Sequence, residues 1–168
     1  MATSIKTFNS EGGFGVNQKT IIDEDFNLIN ANTIEVKNSN YNDLNKTDYI
    51  LKGLNSTVLT LDGLQPITLQ SNTINFITAN IIAVNSIGDG HYSEKIESHV
   101  TCNSSGDVQV LSELTTIIKD SIPTGQTWTI LSYDSGTANQ FSYVSSRGGT
   151  TDTIKWMAYV QVSSALWT

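Results

Sequence analysis

The chain has 168 residues, enough for one domain or two small ones, and only 15% of them are charged, against roughly 25% in soluble globular domains. Asn, Ser and Thr fill the difference with about a third of the sequence, a polarity without charge that suits β-structure, where Thr packs and Asn and Ser turn the chain. A net charge of -7 with one arginine and no basic cluster lacks the positive footprint that nucleic acid or an anionic membrane surface requires.

Several other classes fall away on composition. Gly has no period and Pro occurs twice, so the chain is not collagen-like. Hydrophobic residues reach 38% and are grouped in runs, which argues against disorder. Cys102 is the only cysteine and can form no intrachain disulfide. The opening Met1-Ala2-Thr3-Ser4-Ile5-Lys6 lacks a signal-peptide pattern, and no apolar run approaches the ~18 residues of a membrane span. The expectation is manufacture and assembly in the cytoplasm.

Residues 1–18 are polar and Gly-rich around Gly12-Gly13-Phe14-Gly15. They read either as a free arm or as a docking arm that orders against a partner, with Phe8, Phe14 and Val16 as the candidate partner-binding residues. Residues 19–87 alternate short β-branched runs with Asn-, Asp- or Gly-marked breaks. The runs are 19–22, 32–36, 49–51, 57–61, 66–70, 73–77 and 80–84, each the length of one strand. Ile67 and Leu69 share one face by the period of two, as do Ile74 and Phe76. These strands carry few large side chains, so they are expected to bury their apolar face against other copies as a short-strand β-stem or β-prism. A trimer is the favoured oligomer, and a monomeric sandwich is the alternative.

Ile87-Gly88-Asp89-Gly90 is the expected domain boundary, as a hinge or tight turn. Residues 91–168 hold all three tryptophans and six strand candidates, at 95–102, 108–112, 115–119, 127–132, 140–144 and 153–162. Together they suggest a C-terminal antiparallel β-sandwich. The last run is the clearest, with Trp156, Ala158, Val160 and Val162 on one face and Met157, Tyr159 and Gln161 on the other. Residues 110–120 also fit a helical face, but Thr115-Thr116-Ile117-Ile118 favours strand. The predicted fold class is thus all-β: an N-terminal arm, an oligomeric stem and a sandwich.

The chemistry-bearing residues do not assemble into a reactive set. His99 and Cys102 would point to opposite faces of a strand, and the further ligands of a zinc site are missing. Asp23-Glu24-Asp25 lacks the alternating oxygens and Gly turn of a calcium loop. Gly12-Gly13-Phe14-Gly15 is followed by no GK[ST] element, and no nucleophile elbow occurs. No catalytic residue, metal or cofactor is expected, and the protein reads as a non-enzyme. Tyr133, Asp134, Tyr143 and Arg147 lie on or near predicted loops and are candidate glycan contacts, while Trp128, Phe141 and Trp156 read as core.

Four stretches carry a resemblance: residues 1–14, residues 72–85, residues 118–130, and the ending around Thr153-Ile154-Lys155-Trp156. Along nearly its whole length the chain resembles small virion structural proteins of contractile-tailed phages of marine cyanobacteria. The resemblance implies a virion component, self-associated and in contact with other virion proteins. It implies no catalytic residues and no position on the particle. The leading expectation is a short oligomeric tail fibre or appendage. A capsid decoration protein and a module binding host surface glycan are the alternatives, with a depolymerase behind them.

Overall fold

The structure is a computed structural model and describes residues 14–16, 19–22, 28, 33–38, 41–62 and 64–167. The chain divides into two compact units, residues 1–32 and 33–168. In the first, β1 (Phe14–Val16) pairs antiparallel with β2 (Lys19–Ile22), and Ile22 bridges Leu28.

The second unit contains ten strands. They are β3 (Thr33–Asn38), β4 (Tyr41–Leu54), β5 (Thr57–Val58), β6 (Ile67–Thr68), β7 (Thr73–Asn85), β8 (His91–Cys102), β9 (Val108–Ser121), β10 (Thr127–Asp134), β11 (Gln140–Gly148) and β12 (Ile154–Leu166). A six-stranded sheet runs β3-β4-β12-β7-β8-β9, with every neighbouring pair antiparallel. A smaller antiparallel sheet runs β10-β11-β5, and β6 also pairs with β11. The fold is all-β, and no helix occurs among the described residues.

The two sheets enclose one core. Residues at alternate positions of β7, β8 and β12 are buried, as a half-covered sheet requires. The smaller sheet supplies the aromatic bulk: Trp128 and Ile130 from β10, Phe141 and Tyr143 from β11. Trp128 meets Trp156 of the large sheet edge to face, with ring centroids 6.5 Å apart. The faces expected for the last strand hold: Trp156, Ala158, Val160 and Val162 are buried, while Met157 and Tyr159 are exposed.

Three expectations need correction. The boundary at residues 87–90 is the turn of the β7–β8 hairpin and not a hinge between domains. Asn85 Oδ1 accepts the N–H groups of Gly88 at 2.9 Å and Gly90 at 3.1 Å, which holds that turn closed. Nor do residues 19–87 form a separate stem. β4 and β7 flank β12, and β5 and β6 pair with β11, so both halves of the chain share the same two sheets. The runs at 73–77 and 80–84 are one strand, as are those at 108–112 and 115–119, because Thr78-Ala79 and Glu113-Leu114 contain no residue that breaks a strand. In β7 the buried face belongs to Thr73, Asn75, Ile77, Ala79, Ile81, Ala83 and Asn85, so Ile74 and Phe76 point away from the core.

Turn chemistry fixes the loops. Asn55 takes the left-handed conformation at φ 61°, and its Oδ1 accepts from the Ile154 N–H at 3.0 Å, tying the end of β4 to the start of β12. A Cβ on Gly90 would lie 2.8 Å from Pro123 Cδ and 2.9 Å from Trp128 Cη2. Overpacking of that kind costs about 1–3 kcal/mol. Gly90→Ala is therefore expected to lower the thermal midpoint, as read by circular dichroism, whereas an unchanged midpoint would show that the turn yields.

Candidate interaction surface

The outward face of the large sheet is the most distinctive surface of the second unit. Its positions follow from register, since the residues opposite Gln161 on β12 are Asp48 on β4 and Thr78 on β7. On one side of this polar row, Ile50, Leu54, Met157, Tyr159, Ile82 and Val84 come together. On the other lie Leu44, Ala165, Ile74 and Phe76. Phe76 is 53% exposed, and Leu44, Ile50, Leu54, Ile74 and Ile82 are comparably open. β3 adds Ile34 and Val36, which sit opposite Asp48 and Lys46 on the same face.

Charge is segregated onto this face as well. By register, Lys46, Lys52, Lys95, Lys119 and Lys155 share it with only Asp48 and Glu97 as acids. Lys95 pairs with Glu97 at 2.9 Å, and Lys52 pairs with Asp62 of the following loop. A chain of net charge -7 thus displays a mixed lysine and apolar surface on one side.

β9 is the second open feature. Among the described residues it pairs with β8 alone and forms one edge of the sheet. Leu111, Leu114, Ile117 and Ile118 are all more than half exposed, with Ile118 at 65%. Register shifts opposite Ser93/Glu94 and His99/Val100 mark a bulge near each end, and the pairing between them is regular. Bulges bend a strand and shorten the stretch that another chain can pair with.

The residues singled out for chemistry stay apart. Among the described residues no group of three or more His, Cys, Asp or Glu side chains is placed to hold a metal ion. His99 lies on the outward face and Cys102 on the core face, so the two do not meet. Burial pushes the Cys102 thiol up, Asp107 adds to the shift, and Asn139 Nδ2 donates to the sulfur at 3.3 Å against it. The group is held as a thiol, which is poorly nucleophilic.

The glycan candidates do not form one site. Tyr143 is fully buried and packs edge to face on Phe141, so its ring is closed to a ligand. Tyr133 and Arg147 are half-buried, and Asp134 is exposed beside a cavity of about 80 Å³ lined also by Gly106, Asp107 and Gly136. A larger opening of about 570 Å³, lined by Lys52, Leu54, Thr57, Val58, Leu64 and Lys155, lies beside the apolar outward face. Of the expected partner-binding residues, Phe8 lies outside the described residues, and Phe14 and Val16 form β1.

Of the outward apolar residues, Ile74 and Phe76 were expected to share a face, and Leu44, Ile50, Leu54 and Ile82 were not placed on it by the sequence pattern. The signal was present in β7, where both alternating sets contain large hydrophobics, and a strand with one wet face should have one polar set. No protein-family model matches the chain, and neither a curated protein nor a solved structure matches it.

One buried acid makes stability depend on pH. Glu94 is 4% exposed on the core face of β8 and accepts a hydrogen bond from the Tyr92 hydroxyl at 2.6 Å. Burial pushes its carboxyl above the ordinary range; the Tyr92 bond opposes this and Glu113 adds to it. The folded state then holds the proton more tightly than the unfolded chain. Stability from this group is full below the ordinary carboxylate range and is lost as pH rises through the raised value. Unfolding in urea at pH 5 and pH 8 should show the wild type gaining stability at the lower pH. Glu94→Gln, which keeps the acceptor for Tyr92, should flatten the difference and be more stable than wild type at pH 8. An unchanged slope would assign the pH dependence elsewhere.

Proposed function

We propose that this protein is a structural subunit that works by contact, a short oligomeric fibre or appendage protein of a tailed-phage virion. The single observation that carries the reading is the outward face of the six-stranded sheet. Six strands at about 4.8 Å spacing and six rows about 6.8 Å apart cover roughly 24 by 34 Å, or about 800 Å². That matches the ~800 Å² per partner of a stable interface. Side chains left half-open on it would each contribute about 1 kcal/mol when covered. The two apolar groups on this face, one around Ile50, Tyr159 and Ile82 and one around Ile74 and Phe76, are the kind of exposed hydrophobic clustering that marks contact surfaces.

The lysines favour a partner with an acidic surface over two such faces stacked on each other, since like charges would then meet. The sequence resemblance supplies the particle: the acidic partner is read as another virion protein. A broad, lysine-bearing face also suits a capsid lattice, which keeps a capsid decoration protein as the second reading. Self-association is part of the proposal, with a trimer favoured.

Light scattering on the purified chain should give a multiple of its 18.3 kDa mass. A monomer at high concentration would remove the oligomeric part. Cryo-electron microscopy of the intact particle should show density for the sandwich on the tail, or on the capsid for the second reading. Absence of the protein from purified particles would overturn the virion assignment.

A further inference from the structure

We infer that copies of this chain join head to tail, with the β9 edge of one copy pairing antiparallel with the β3 edge of the next. The inference rests on the self-association proposed above and names the contact. The partner is a second copy of the chain, and the six-stranded sheets of successive copies become continuous.

Direction is the first support. The sheet has six strands and every neighbouring pair is antiparallel, so β3 and β9 run in opposite directions. A rotation axis along the strands preserves direction, and β9 then meets the next copy's β3 antiparallel without either sheet turning over. Such a head-to-tail contact uses two different surfaces and closes a ring when its rotation closes. Had the sheet an odd number of strands, its edges would run the same way and the same operation would bring them together parallel.

Length is the second. β9 has fourteen residues, and its bulges leave residues 112–117 as the longest regular run. β3 has six residues. β3 has a register shift of its own between Lys37 and Asn38, so its regular part, residues 33–37, nearly matches that of β9, and the irregularities oppose longer or shifted pairing.

Charge and burial pattern select the register. Setting Leu114 opposite Val36 joins two outward-face residues that are 62% and 60% exposed. The same register sets Thr116 opposite Ile34 and Ile117 opposite Thr33. Sliding by two residues to put Leu114 opposite Ile34 would set Glu113 against Glu35. Like charges directly opposite destabilise a strand pair. Sliding two residues the other way loses the apolar pair, because Leu114 would then face neither Ile34 nor Val36.

Cross-linking between copies tests the inference. Directly opposite residues of an antiparallel pair have Cβ atoms about 4.5–5.5 Å apart, close enough for a disulfide after small adjustment. Leu114→Cys and Val36→Cys are made singly in the full chain; Cys102 is buried and does not compete. Under mild oxidation neither variant alone should cross-link, and an equal mixture should give a covalent dimer on a non-reducing gel. Leu114→Lys, at an exposed position, should keep the wild-type melting curve and weaken association at least tenfold by sedimentation velocity. Cross-linking by Leu114→Cys alone would mean that β9 pairs with β9 and would overturn the inference. An oligomeric wild type with no cross-link in the mixture and no effect of Leu114→Lys would overturn it too, leaving self-association by another surface. A monomeric wild type would overturn both.

Discussion

The large sheet is built around β12, the last strand in the chain. β12 pairs with β4 from Lys155 to Ala165 and with β7 from Ile154 to Leu166, so it sits between strands made much earlier. Its core face carries Trp156, which meets Trp128 at 6.5 Å and Tyr92 at 6.5 Å, each edge to face. One strand therefore joins the sheet halves and also bonds the two layers. Without β12, β4 and β7 would face each other across a gap of one strand, with a row of unpaired backbone groups on each. The sheet cannot complete until β12 is made, and the fold is dominated by contacts distant in sequence, which slows folding.

The alternation of β12 was legible because its two faces differ cleanly: aliphatic and tryptophan on one, mixed polarity on the other. β7 misled for the opposite reason. Its buried face is small and partly polar, with Ala79, Ala83, Thr73 and Asn75, while its outward face carries Ile74, Phe76 and Ile82. Size was a poor guide to direction there, because Phe141, Tyr143 and Trp128 share that core and fill it from the other layer. The domain boundary failed on related grounds. Gly88 and Gly90 do mark a turn, but a glycine turn between two strands of one sheet reads in sequence like a hinge between domains. Only the register of β4 and β7 on β12 distinguishes them.

The abundance of Asn, Ser and Thr was visible as composition but not as purpose. Inside the sandwich these residues satisfy one another and the backbone. Asn75 Nδ2 donates to Val100 O at 3.3 Å and to Thr73 Oγ1 at 3.0 Å, while its Oδ1 accepts from Ser164 at 2.5 Å. Ser142 bonds Leu59 O, and Ser145 bonds Asn55 O and Thr57 O, fastening β11 to the segment around β5. Asn139 Nδ2 reaches Leu69 O at 2.8 Å and Ser71 Oγ at 2.9 Å across the loops. Buried polar groups stabilise when paired and cost free energy when left alone. Neutral side chains achieve this without the desolvation penalty of ions, which accounts for a low charge content in a chain with much buried polarity.

This closure of the core changes the physical case for assembly. A stem of short strands would need neighbouring copies simply to fold. The sandwich already encloses its aromatic and aliphatic core within residues 33–168, so the apolar residues on its outward face and on β9 are surplus to folding. Surplus exposed hydrophobics raise the risk of aggregation, and the bulges that confine the free edge of β9 reduce that risk by limiting which partners fit. A subunit of this kind can remain stable and separate until a surface of matching register and charge arrives. Association then selects among partners, because stability has already been secured inside each chain.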